Sequence, residues 1–162
     1  MALPKPKTKA KFFELEGKRW EKLDALAADL PEAAWTQPGA AGEWSLKDVW
    51  AHLAAWMKET RRVLPMLLRG ESVTAHIQEF NREHAARDCS LSFDAALRRV
   101  ERERKQLLKA LASIPEDDLL GNRRLYSWAS YSTYNHYAEH IPSITRFRRA
   151  TLRRVQRAAR KK

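Results

Sequence analysis

Apolar residues recur along this chain at helical spacing, and alternating, strand-like stretches are scarce. That pattern restricts the fold to packed helices. The first helix is predicted from about Thr8 to Leu30, with Phe12, Leu15, Trp20, Leu23, Leu26 and Leu30 along one side, and Pro31 ends it. Pro38–Gly42 reads as a loop. Ser45 then reads as an N-cap with Asp48 three residues on, close to a capping box. The second helix follows from Leu46 to about Arg69, stopped by Gly70, and Pro65 should kink its last turn. A shorter helix is expected over Thr74–Asp88. The third long helix spans Phe93–Ser113, capped by Ser90 or Ser92. Pro115–Leu119 reads as a single turn that begins on proline. A loop from Gly121 to about Trp128 leads into a fourth helix from Ser130 or Tyr131 to Arg160. The expected fold is all-α: a four-helix bundle with a short extra helix between helices two and three.

At 162 residues the chain is about one domain long. Its organisation reads as a flexible start over 1–8, the bundle over 9–149 and a basic helix end over 150–162. With 44% apolar and 31% charged residues it fits a globular protein. No apolar run approaches the roughly 20 residues that span a bilayer. No secretory leader is evident, and with Cys89 as the single cysteine no intrachain disulfide can form. A cytoplasmic location is the expectation.

The net charge of +11 is unevenly distributed, because nine Lys or Arg and no acid lie between Arg146 and Lys162. Such a run is most simply a solvated helix end, whose cations suit the negative end of the macrodipole. The sharper alternative is a contact to nucleic-acid phosphates or to acidic lipid headgroups.

The chemistry-bearing residues centre on two segments. His136 and His140 are four apart and share a helix face. His52 stands on the core-facing side of the second helix. If helices two and four are neighbours, three imidazoles converge, a donor set that suits zinc or nickel with one position left open. The competing reading is a polar helix face and a core histidine satisfied by backbone. His76 and His84 read as surface residues, and Cys89 lacks an obvious histidine partner. Trp44, Trp50, Trp56, Trp128, Tyr131, Tyr134 and Tyr137 cluster near the histidines in sequence, as core filling or as the aromatic wall of a pocket. No Gly-rich phosphate loop and no Gly-x-Ser-x-Gly elbow is present.

The segment Gly42-Glu43-Trp44-Ser45-Leu46-Lys47-Asp48-Val49-Trp50-Ala51-His52-Leu53-Ala54-Ala55-Trp56 resembles the second-helix signature of the DinB-like superfamily, and more closely its ClbS/DfsB branch. Phe80-Asn81-Arg82-Glu83 and Thr133-Tyr134-Asn135-His136-Tyr137-Ala138-Glu139-His140-Ile141-Pro142 fit the same branch, so that the resemblance spans about Lys9 to Arg149. It implies a four-helix bundle and a divalent metal held by His52, His136 and His140. Relatives with such a metal include low-molecular-weight-thiol transferases and a maleylpyruvate isomerase. The nearer branch implies disarming of an electrophilic genotoxin.

The expectation is therefore a small-molecule-handling protein that detoxifies a reactive electrophile by hydrolysis or thiol transfer. His52, His136 and Glu139 are its candidate catalytic groups, and Trp44, Trp56, Asn81 and Tyr137 its candidate ligand contacts. The cofactor expected is one zinc or nickel ion, or none. The alternative is a non-enzymatic protein that holds nucleic acid through its basic tail. A homodimer is expected.

Overall fold

The computed structural model describes residues 5–161. Its long helices are α1 (Lys9–Ala28), α3 (Leu46–Leu68), α5 (Phe93–Ser113) and α8 (Tyr134–Ala159). Shorter helices join them: α2 (Glu32–Trp35), α4 (Ile77–Asp88), α6 (Glu116–Gly121) and α7 (Arg123–Tyr131). The described residues form no strand. The all-helical bundle expected from the periodicity is the observed architecture, with α4 as the extra helix between the second and third long ones.

Local chemistry explains most boundaries. Ser45 accepts from the Asp48 backbone N–H at 3.2 Å, and the Asp48 carboxylate accepts from Ser45 N at 2.9 Å. This reciprocal box satisfies two otherwise orphaned donors and starts α3. At the other end Gly70 adopts φ +81°, and the Glu71 N–H returns to the Met66 carbonyl at 3.0 Å, a left-handed stop that glycine adopts without strain. Ser92 caps α5 through the Ala95 N–H.

One predicted loop is a helix. The stretch expected to be irregular over Gly121–Trp128 largely belongs to α7, and α8 starts at Tyr134 rather than at Ser130. Asn122 is the reason. Its side-chain oxygen accepts from Arg124 N and Leu125 N at 3.1 Å each, and its amide donates to the Leu67 carbonyl. Leu125 and Ala129, four apart, are then buried. At the far end Thr133 (φ −128°, ψ −120°) breaks the helical path between α7 and α8. The predicted Thr74 start of the short helix likewise moves to Ile77.

The bundle is built from two packed pairs, α3 against α5 and α1 against α8. Trp50, Leu46, Leu53, Met57, Leu107, Leu111, Phe12, Leu23 and Tyr134 are fully buried between them. A buried polar link ties three long helices together. Glu16 of α1 accepts two parallel bonds from Arg104 of α5, 2.7 Å each, and one from the Tyr137 hydroxyl of α8 at 3.0 Å. Short α4 is fastened to α3 by the Lys47 ammonium on the Cys89 carbonyl, 2.7 Å, and to α5 by Arg99 on Asp88, 2.8 Å. Near the C-terminus Thr151 is buried and Leu152 packs on the core, and residues 153–161 are exposed. No described helix is long and apolar enough to cross a membrane.

Candidate functional site

The three predicted histidines meet where the two helix pairs face each other. His52 comes from the middle of α3, and His136 and His140 from the first two turns of α8. Their ring centroids are 4.8 Å (52–136), 5.5 Å (52–140) and 5.1 Å (136–140) apart. His52 Nε2 and His136 Nε2 are 2.9 Å apart, and one nitrogen from each of the three rings lies within 4.8 Å of the others. His52 and His136 are 9% and 8% exposed.

The electrostatics suit ligation. Burial, with the neighbouring histidines adding to it, pushes His52 down to about 3. Burial takes His140 down to about 4, and His136 falls well below its ordinary value for the same reasons as His52. At neutral pH all three are therefore neutral imidazoles with lone pairs to give. His136 Nδ1 and His140 Nε2 are buried without a hydrogen-bond partner. Unpaired buried polar atoms are costly, and an ion is one way to satisfy them. A tetrahedral ion with bonds of about 2.0–2.1 Å sets its nitrogen ligands roughly 3.3 Å apart, against 2.9 Å between His52 Nε2 and His136 Nε2 and a spread within 4.8 Å across the three rings. The residues fit zinc or nickel.

A cleft of about 210 Å³, open to solvent, approaches the cluster from the α4 side. Of the three histidines, His52 is the one that lines it, with the Trp44 ring tilted against it at 4.7 Å. Asn81 lies on the opposite wall. Its oxygen accepts from Trp56 Nε1 at 2.9 Å, which orients the amide and leaves its NH₂ to donate. His84, Asp88 and Cys89 complete that wall, and Ala51 and Ala85 leave the space open.

Two of the expected ligand contacts are elsewhere. Trp56 does not line the cleft; it is buried, stacks on Phe80 at 4.2 Å and acts on the site through Asn81. Tyr137 faces α1, edge-on to Trp20 at 5.4 Å, and its phenol is bound to Glu16. Burial and the Glu16 carboxylate raise its pKa well above the phenol range, so it is a fixed donor. The step of one residue from His136 turns Tyr137 about 100° around the helix, onto the other face. Glu139 is exposed and bonded to none of the histidines among the described residues; partial burial raises its carboxyl pKa.

On α4 the expected contact Asn81 lines the cleft, and His84 joins it. His84 was expected at the surface, yet its ring stacks on Phe80 at 4.0 Å and its Nδ1 lies 3.7 Å from Asp88 Oδ2. The signal was present in the spacing: Asn81, His84, Ala85 and Asp88 follow the three-and-four rule for one helix face.

The profile of the DinB superfamily matches residues 17–157. The chain belongs to the DinB superfamily. The match runs past the expected boundary at 149 and into the basic helix end. Two solved structures share the fold. One is an uncharacterised protein from Escherichia coli UTI89, 16% identical, with a TM-score of 0.76 over 90% of this chain and 95% of that one. The other is the colibactin self-resistance protein ClbS, solved in complex with a dsDNA, 14% identical, with a TM-score of 0.72 over 91% of this chain and 98% of that one. The fold that the resemblance implied is thus shared with ClbS in three dimensions. No curated protein matches the chain in sequence.

Proposed function

We propose that this DinB-superfamily protein binds one divalent ion, zinc or nickel, through His52, His136 and His140, and detoxifies a reactive electrophile in the adjoining cleft. The observation that carries the reading is the cluster of three largely desolvated, neutral imidazoles, with His136 Nδ1 and His140 Nε2 unpaired, meeting an open cleft at His52. Imidazoles held near pKa 3–4 are poor general bases at neutral pH, where catalytic bases work best with values near 7. They are good ligands, because no proton has to be displaced. When bound, such an ion supplies Lewis acidity and a water or thiol of lowered pKa. The protein supplies the rest. Trp44 offers a ring face to an unsaturated or strained ligand, Asn81 donates to a carbonyl or developing oxyanion, and the apolar wall of Ala51 and Ala85 limits competing water. Glu139 stays with the proposal as a carboxylate beside His140. Trp56 and Tyr137 enter it as supports for Asn81 and for α8.

Elemental analysis and zinc titration test the reading. Wild-type protein should bind about one ion per chain, and His136→Ala should weaken binding by about 100-fold or more. Wild-type protein should also consume a model Michael acceptor in the presence of a small thiol, or a strained-ring electrophile in water, and His136→Ala should not. Absence of zinc binding by correctly folded wild-type protein would defeat the proposal.

A second reading is favoured by one neighbour: ClbS was solved with dsDNA bound. In this chain Arg153, Arg154, Arg157, Arg160 and Lys161 form an exposed basic helix end. Truncation after Leu152 should keep thermal stability within about 1 kcal/mol of wild type, because only exposed residues leave. Truncation after Ala150 should cost roughly 1–3 kcal/mol more through Thr151 and Leu152. If the tail holds duplex DNA, the longer truncation product should lose that binding, and full-length binding should weaken steeply with salt. Duplex binding that survives truncation would remove the tail from the reading.

A further inference from the structure

A second depression, of about 430 Å³, lies between α3 and α4 beside the cleft. Lys58, Arg61 and Arg62 of α3 line it, at the three-and-four spacing of one helix face, together with Arg87 of α4. Glu59 is the one carboxylate in its lining among the described residues. His84 lines both this groove and the histidine cleft, so the two spaces adjoin.

The groove carries more positive charge than its own acids neutralise. Glu59 is taken by Arg62, at 2.9 and 2.6 Å, and Glu103 of α5 reaches in to hold Arg61 at 2.8 Å. Lys58 makes no ion pair among the described residues. Arg87 comes only within 3.8 Å of Asp88, whose carboxylate is already held by Arg99 at 2.8 Å. The Arg87 guanidinium instead lies against the His84 ring, with Nη2 2.5 and 2.8 Å from the two ring nitrogens. Among the described residues Lys58 has no anionic partner and Arg87 has only the more distant Asp88, so the pair recruits an anion from solution, and low-dielectric walls concentrate the field. Arg61 adds a buried Nε–H that has no acceptor.

We propose that this groove is an anion subsite of the cleft, and that it holds the phosphate or carboxylate of a small molecule whose remainder passes His84 to lie against Trp44 and His52. The inference deepens the reading of the cleft as a small-molecule site and names its ligand class: an anion-bearing compound with an apolar or unsaturated body. A guanidinium fork suits either oxyanion, and an ammonium adds a point charge. The cations line one open groove that shares His84 with the cleft. A duplex backbone would be served by cations spread along a surface, as at the end of α8.

The test uses full-length protein at fixed ionic strength, with inorganic phosphate, phenyl phosphate and benzoate as probes, followed by calorimetry and by NMR. Phenyl phosphate or benzoate should bind about tenfold or more tightly than inorganic phosphate, because its ring enters the cleft, and the tighter of the two names the anion. Lys58→Ala combined with Arg87→Ala replaces two exposed side chains, so the fold and zinc binding should persist. Binding of the aromatic anion should fall about tenfold or more. Chelator-treated wild type should bind it within about twofold of the untreated protein, so that a failed metal site and a failed anion site give different results. Equal binding of the aromatic anion by wild type and the double variant overturns the proposal. So does a groove that binds a duplex oligonucleotide but none of the three small anions.

Discussion

Replacing Glu16 with alanine should destabilise the protein by about 3–5 kcal/mol, the range for breaking a buried ion pair from one side. Glu16 is 1% exposed and takes both prongs of the Arg104 guanidinium as well as the Tyr137 phenol. Its removal leaves a mostly buried cation, with its side chain 24% exposed, and an unpaired hydroxyl. Arg104 also lies over the Trp20 ring at 4.8 Å, so it cannot swing into solvent without losing that contact. For a chain of this length the melting temperature should fall by roughly 10 °C or more. Glu16→Ala combined with Arg104→Ala should cost clearly less than the two single changes added together, since each removes the same bonds. A loss below about 1 kcal/mol in chemical denaturation would show that the network contributes little.

Metal-free protein should lose stability steeply in mild acid. His52, His136 and His140 all have folded pKa values below the ordinary histidine value, at about 3 for His52 and about 4 for His140. The unfolded chain takes up protons as pH falls through about 6.5, and the folded chain does not. Their stability is thus intact above about pH 6.5 and is lost as pH falls towards 4 and then 3. Each histidine contributes a slope of up to about 1.4 kcal/mol per pH unit in that window, so the three together approach about 4. Chelator-treated wild type should show this loss between pH 6 and 4.5 by urea denaturation, and His136→Gln should flatten it by about one proton. Zinc should stabilise the neutral-pH protein by mass action and be released over the same acid range. An unchanged slope in His136→Gln would mean that His136 is not held neutral by the fold.

Much of the fold was legible in the residues. Apolar spacing gave the four long helices, and Ser45, Asp48, Ser92 and Gly70 marked ends that the structure reproduces through real caps. These are short-range properties, set by neighbours within four or five positions. The segment around α7 was misread because its helix depends on Asn122 capping and on burial of Leu125 and Ala129, whereas the polar and aromatic residues between them carry no clear periodicity.

The site divides in the same way. Spacing alone placed His136 and His140 on one face, and the signature around Trp44 and His52 pointed to their partner. Whether His52 met them depended on how two helix pairs come together, which no local pattern encodes. Tyr137 and Trp56 show the other side of that limit: each is near the site in sequence, but one points to Glu16 and the other to Asn81. His84 and Arg87 have surface-like character in sequence, and only the docking of α4 on α3 turned them into walls of adjoining cavities. The helices, their caps and the residue types available for chemistry are local properties, because they follow from covalent geometry and contacts within a few residues. Tertiary structure alone decided which side chains lost their water and whom they faced, because burial and long-range pairing arise only when distant helices pack.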